Sequence, residues 1–370
     1  MPRPIAAAFM QNRFRTEIVY ENCSNNGSAA GYGLGEDVIH QNKVLYGADT
    51  VLDQTVINKL NRYSIMCVTI KEEIDFAVTH YEKVRFNEHF KEFEQKHTES
   101  LYRYKKIITD FLNTAGKHIP NEELLALYNE MRGTYHTGTN LLDYLYNLMP
   151  NEDELTYNHC LNAALLAGVF ADWMQLNPED KENLILSCFY YDIGKLKLPY
   201  EVLWKSEKLT PKEFALIQKH PALGYQLLNN TALNQRIKNV TAMHHERMDG
   251  SGYPFHSKGN KIDVLARYVA IIDTYIAMAS PRSYRNALTP LEILDAFANT
   301  REKYDVELLV PLMNRISDAQ IGTSVELNDK SVWEVFMINP DKYSRPVLKN
   351  SSGEILNLLK RPELKIVKNV

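Results

Sequence analysis

Between residues 121 and 318 apolar positions recur at the three- and four-residue spacing of helices, interrupted at Pro150-Asn151 and at Gly252-Tyr253-Pro254. The pattern is different on either side. From Gly31 to Lys71, short runs at Asp37-Val38-Ile39, Val44-Leu45 and Met66-Cys67-Val68-Thr69-Ile70 predict strands, with a helix over about 53–63 between them. Residues 72–118 are polar and rich in Glu, Lys and aromatic side chains, which predicts a long connecting helix. Its His80, His89, His97 and His118 have no compact spacing and read as solvated helix-face residues. Near the end, Ser331–Ile338 and Arg345–Leu348 predict strands, and Asn350-Ser351-Ser352-Gly353 a hairpin turn.

The chain therefore reads as mainly α. An irregular segment (1–30), a small α+β accessory domain (31–75) and a helical linker (76–120) precede an all-helical domain (121–318), and a small β-rich appendage (319–370) follows it. The 370 residues, 45% hydrophobic and 24% charged, have the composition of a globular protein. A net charge of −4 with no polybasic tract argues against holding nucleic acid or a membrane surface by bulk electrostatics. The apolar stretch Leu265–Ala279 is broken by Arg267 and Asp273, so no membrane span is expected, and Met1–Ala8 lacks the apolar core of a signal peptide. Cys23, Cys67, Cys160 and Cys188 form no CxxC pair. Cys160 and Cys188 sit in apolar helical patterns as buried thiols, which predicts a cytoplasmic location.

The candidate chemistry lies in the helical segment. A helix over about 154–175 would turn Leu155, His159, Ala163 and Leu166 inward. Asp192 follows the apolar run Leu184–Phe189, and Asp273 interrupts Val269–Ala277. A carboxylate buried without compensation costs roughly several kcal/mol, so each needs a cation or hydrogen-bond donors. Lys195 could pair with Asp192, and a structural ion pair reads as well there as a metal site. His220 and the adjacent His244 and His245 add imidazoles. Imidazoles with carboxylates suit Fe, Mn or Zn, and four histidines with two aspartates exceed the needs of one ion. A two-ion centre bridged by Asp192 is therefore expected, with the ions clamping a phosphoryl oxygen.

His159, Asp192-Ile193-Gly194-Lys195, Lys219-His220-Pro221, the run His244-His245-Glu246-Arg247-Met248-Asp249-Gly250-Ser251-Gly252-Tyr253-Pro254, Asp273 and Arg282-Ser283-Tyr284-Arg285 together resemble the HD-GYP family of the HD phosphohydrolase superfamily. The likeness covers about residues 125–318. The resemblance implies an all-helical domain that hydrolyses cyclic di-GMP, or a related 3′,3′-cyclic dinucleotide, to pGpG or GMP. It implies two divalent ions, Fe or Mn. One would be held by His159, Asp192 and Asp273, the other by Asp192, His220, His244 and His245. Lys195 would assist at the scissile phosphate, Arg285 would grip a phosphate, and Tyr284, Tyr253 and Arg247 would line the substrate. Expected partners are the cyclic dinucleotide, a signalling protein such as a diguanylate cyclase domain, and a second copy of the chain.

The sequence departs from the family pattern at several points. Tyr191 stands where the family has the His before the bridging Asp, and it would have to ionise, from a pKa of about 10, to act as a ligand. Ile276 replaces a common second Asp, and Pro281 and Ser283 alter the wording before Tyr284-Arg285. Leu155 occupies the place of a third-metal Glu, so two ions are the most expected. The alternative to an active phosphodiesterase is a degenerate module that binds the nucleotide, or a signalling partner, without turnover.

Overall fold

The computed structural model describes residues 87–114, 116–148, 155–203, 205, 209–280 and 287–369, with shorter N-terminal stretches at 14–18, 33–34, 36–40, 43–48, 50, 52, 54–63, 65, 67–71 and 84. Chain contacts divide it into two units, Met1–Ala77 and Val78–Val370. The expected break at Pro150-Asn151 lies outside the described residues, as do His80 and the Asn25–Ser28 loop.

In the first unit, β1 (Phe14–Ile18), β5 (Cys67–Lys71) and β2 (Gly33–Leu34) form an antiparallel sheet in the order β1-β5-β2. Among the described residues, a hairpin of β3 (Val38–His40) and β4 (Lys43–Tyr46) and one helix, α1 (Gln54–Arg62), accompany it. Val56, Ile57 and Leu60 recur at helical spacing on α1 and join Leu34, Val38, Leu52 and Val68 in a small core. Residues 1–30, read from sequence as irregular, thus contain a strand. Phe14-Arg15-Thr16-Glu17-Ile18 has too few apolar positions to show a period, and pairing with β5 supplies its order.

The second unit is helical. Its elements are α2 (Glu88–Asn113), α3 (Asn121–Arg132), α4 (Gly138–Asn147), α5 (Leu155–Trp173), α6 (Pro178–Tyr190), α7 (Tyr200–Leu203), α8 (Pro211–Ile217), α9 (His220–Asn229), α10 (Gln235–Met243), α11 (Val264–Ala279), α12 (Pro290–Ala298) and α13 (Val306–Asp318). Polar residues set the helix starts. Asn177 caps α6 ahead of Pro178, and Asp263 caps α11. Thr210 and Thr289 form capping boxes with Glu213 and Glu292.

Helix α5 is the hub, packed by α2, α3, α4, α6, α11 and α13. Every residue from Cys160 to Ala171 is buried, so the single inward face expected from the sequence is instead burial on all sides. Small residues permit this. A Cβ on Gly168 would lie 1.9 Å from the Tyr128 hydroxyl. Cys160 and Cys188 are free and buried.

Two readings of the 76–120 segment need correcting. Helix α2 is a wall of the main core and not a tether, because Phe90, Phe93, Leu101, Tyr104, Ile108 and Phe111 all bury into it. His97 lies on that same buried face, 4% exposed, with Nε2 2.7 Å from Asn162 Oδ1 on α5. His89 and His118 are exposed, as expected.

The final strands, β6 (Ser324–Leu327), β7 (Val332–Met337), β8 (Val347–Lys349), β9 (Ile355–Asn357) and β10 (Ile366–Asn369), form one antiparallel sheet in the order β10-β6-β7-β8-β9. Asp295 on α12 ties it to the helices by accepting the amides of Tyr343 at 2.7 Å and Ser344 at 3.3 Å. Among the described residues no helix is long and apolar enough to cross a membrane.

Burial lowers the His97 pKa from 6.5 to about 4. The folded state therefore resists a proton that the unfolded chain accepts, and stability is complete above about pH 6.5 and lost as pH falls towards 4. The shift corresponds to up to about 3 kcal/mol. Urea titrations at pH 7 and pH 4.5 should show a larger loss for the wild type than for His97→Gln, and equal losses would refute this assignment.

Candidate metal centre

Four parts of the helical unit bring the candidate ligands together. His159 lies one turn into α5, and Asp273 in the middle of α11. Asp192 follows the end of α6 and opens a 3-10 turn, Ile193–Lys197. His220 begins α9, and His244 ends α10 with His245 next in the chain. Gly194 sets the spacing between Asp192 and His220. A Cβ there would lie 2.0 Å from the His220 carbonyl oxygen and 2.6 Å from the Gly224 nitrogen, so only glycine lets the 3-10 turn rest on α9.

The side chains form two groups with ligand atoms within 4.8 Å of one another: Asp192, His220, His244 and His245, and His159, Asp192 and Asp273. Asp192 belongs to both. His220 Nε2 lies 3.2 Å and His244 Nε2 3.5 Å from Asp192 Oδ1, and the two nitrogens are 3.1 Å apart. On the other side His159 Nε2 meets Asp273 Oδ1 at 2.8 Å, and His245 Nδ1 stands 3.8 Å from Asp273 Oδ2.

Hydrogen bonds elsewhere on the rings decide what these contacts mean. His220 Nδ1 lies 2.7 Å from the Ile217 carbonyl oxygen, and His244 Nδ1 3.1 Å from that of Thr241. A carbonyl only accepts, so both protons sit on Nδ1 and both Nε2 atoms present lone pairs. Burial also lowers the His220 pKa, against the pull of Asp192, and keeps the ring neutral. Two lone pairs thus face each other beside Asp192 Oδ1, which is buried with no hydrogen-bond partner. Three electron-rich atoms converging in a dry interior call for a cation, and imidazoles oriented through Nδ1 by backbone carbonyls are built as metal ligands. The residues fit a divalent ion.

The charges around this core are consistent with that fit. Burial pushes the Asp192 pKa up, but the Lys195 ammonium outweighs it and holds the carboxyl well below the usual range. Asp273 is likewise lowered despite burial, by His159 and then His245. Lys195 Nζ lies 2.5 Å from Asp192 Oδ2, and although burial disfavours its charge, Asp192 and Asp273 raise its pKa. Burial also takes the His245 pKa well below the ordinary imidazole value.

Tyr191 is fully buried. Its hydroxyl donates to Asp273 Oδ1 at 3.4 Å, and its ring stands edge-on to His244 with centroids 4.9 Å apart. Burial, then Asp192 and Asp273, raise its pKa well above the ordinary phenol value.

The loop after His245 is held by residues with little freedom. Tyr253 stacks on His245 at 4.7 Å between centroids. The Tyr253-Pro254 bond is cis. Gly252 runs against backbone, since a Cβ would lie 2.4 Å from the His245 carbonyl oxygen. Glu246, 1% exposed, accepts the amides of Phe255 at 2.7 Å and Ser257 at 2.9 Å. This role of Glu246 was missed from sequence, where it appeared only within the run from His244 to Pro254. An acid beside two ligand histidines and ahead of a Gly-Tyr-Pro turn was the available signal. Arg247, expected to face substrate, directs Nη1 to the carbonyls of His244 and Glu246, and its guanidinium lies 5.3 Å from the Tyr304 ring centre. Tyr284 and Arg285 lie outside the described residues, as do Pro281 and Ser283.

Residues 143–308 match the HD domain family. That segment is an HD domain, and it contains all six metal-ligand candidates. A cyclic di-GMP phosphodiesterase of Pseudomonas aeruginosa is 31% identical over 180 residues, 48% of this chain and 44% of that protein. A 3′3′-cGAMP-specific phosphodiesterase of Vibrio cholerae is 28% identical over 227 residues, 61% of this chain and 42% of that protein. A cyclic di-GMP phosphodiesterase of Thermotoga maritima is 33% identical over 154 residues, 41% of this chain and 42% of that protein. The chain thus spans less than half the length of these relatives.

Glu246→Ala leaves two amides without an acceptor. Hydrogen exchange at Phe255 and Ser257 should speed up roughly tenfold or more while α5 stays protected. Unchanged exchange at both amides would show that Glu246 does not hold the loop.

Proposed function

We propose that the chain hydrolyses a phosphodiester bond of a 3′,3′-cyclic dinucleotide, with cyclic di-GMP as substrate and pGpG and GMP as products. The observation that carries this reading is the sharing of Asp192 between two donor groups, which suits two adjacent cations over one phosphate. The relatives named for cyclic di-GMP and 3′3′-cGAMP support the substrate class. Two divalent ions, iron or manganese, would be held, one by His159, Asp192 and Asp273 and the other by Asp192, His220, His244 and His245. When bound they polarise the phosphoryl oxygen and acidify the attacking water.

The chain's own residues do the rest. His159 and Tyr191 fix Asp273 Oδ1 from two sides. Lys195 carries its proton beside Asp192 Oδ2. As the water oxygen, its proton released to solvent, bonds to phosphorus, the bond from phosphorus to the ribose 3′ oxygen breaks and the departing oxygen takes a proton from Lys195. Tyr253, stacked on His245, forms one wall of the substrate site. Arg285 and Tyr284 would meet a phosphate of the substrate, and Arg247 would support the wall through the His244 and Glu246 carbonyls.

Protein loaded anaerobically with Fe(II) or Mn(II) should convert cyclic di-GMP to pGpG in a chromatographic assay, with 3′3′-cGAMP and mononucleotides as comparison substrates. Lys195→Ala should lower kcat by roughly 10²–10⁴-fold while metal content stays unchanged. Absence of product from fully metal-loaded protein would overturn the reading. A second reading, nucleotide binding without turnover, draws on Tyr191 standing in the site as a hydrogen-bonded phenol. It predicts calorimetric binding of cyclic di-GMP with no product formed.

A further inference from the structure

We propose that Tyr191 is a positioning residue and not a ligand, and that it leaves the two cation positions unequal: one holds its ion tightly and the other exchanges it. The inference rests on the two-cation reading above and concerns ion retention rather than turnover.

The donor sets differ in number and kind. The first position draws on three imidazoles, His220, His244 and His245, together with Asp192. The second draws on a single imidazole, His159, with Asp273 and the shared Asp192. Imidazole nitrogens bind iron and zinc strongly, whereas carboxylates suit the weaker-binding manganese and magnesium. Exposure divides them only in part, because His245 of the first set is 15% exposed. The side chains of His220, His244 and Asp192 are 0% exposed, whereas His159 and Asp273 are each 10% exposed. An ion at the nitrogen-rich position is thus gripped by more donors, most of them sealed from solvent.

Tyr191 stands beside the second position and meets its Asp273 through the hydroxyl. Its ring lies between the two sets, 4.9 Å from the His244 ring centre and 6.0 Å from that of His159. Its hydroxyl donates to Asp273 Oδ1, the oxygen that His159 Nε2 also approaches at 2.8 Å. A hydroxyl that gives its hydrogen to a ligand carboxylate orients that ligand and adds no donor of its own. The backbone amide of Tyr191 bonds the Ser187 carbonyl at 2.8 Å, which fixes the ring at the end of α6.

The test loads the full chain anaerobically with Fe(II) or Mn(II), challenges it with a chelator, and counts retained ions by mass spectrometry, with circular dichroism to confirm folding. The wild type should retain about one ion per chain and release the other at least tenfold faster. Tyr191→Phe, which keeps the ring and removes only the hydroxyl, should retain the same single ion. Tyr191→His should retain two. His159→Ala should keep the tight ion and His244→Ala should lose it. Two ions retained equally by the wild type, or loss of the retained ion in Tyr191→Phe, would overturn the inference while leaving the proposed hydrolysis intact. Failure of the loaded wild type to hold any ion would overturn both.

Discussion

Burial of Asp192 is the constraint that organises this protein. A carboxylate at zero exposure needs positive charge or hydrogen-bond donors in every direction. Lys195 supplies one side, and His220 and His244 approach Oδ1 with nitrogens whose protons are already committed to backbone carbonyls. What remains is a concentration of lone pairs that only a cation relieves. The close contact of the 3-10 turn with α9 at Gly194 and Gly224 serves to keep that arrangement compact.

The rest of the helical unit holds these atoms still. Helix α5 carries His159 inside a sheath of helices, and α2 closes one side of it with a row of aromatic and aliphatic side chains. Asp273 enters from α11, otherwise almost wholly apolar along its buried side, so its charge has no local compensation except the site itself. The loop that follows the paired histidines is fastened from beneath by Glu246 and from the side by Arg247 against Tyr304. Function and stability share these contacts. The atoms that would bind metal are also atoms that the fold cannot leave uncompensated.

Tyr191 is packed into the candidate centre beside its carboxylates. The phenol is large enough to fill its space and polar enough to meet Asp273, so the packing around the site is kept. Its hydroxyl gives a hydrogen to that carboxylate and offers the site no imidazole nitrogen. The two donor groups differ in kind, three imidazoles with Asp192 in one and a single imidazole with two carboxylates in the other.

Much of this was legible along the chain. The helical period over 121–318, the strands near 331–348 and the isolated carboxylates in apolar runs could be read because burial leaves a local signature in residue order. The sequence by itself marked six candidate side chains, because isolated carboxylates in apolar runs and the His244-His245 pair stand out in residue order and the family resemblance joins them into one site. It did not reveal the burial of His97, the strand at Phe14–Ile18 or the role of α2 in the core, because each depends on a partner distant in the chain: Asn162, β5 and α5 respectively. Only the tertiary structure decided that Arg247 supports a loop, that Glu246 clasps it and that Tyr191 donates to Asp273. Hydrogen bonds are directional and span distances of a few ångströms, so they are settled by where the chain brings atoms together and not by the order in which residues appear.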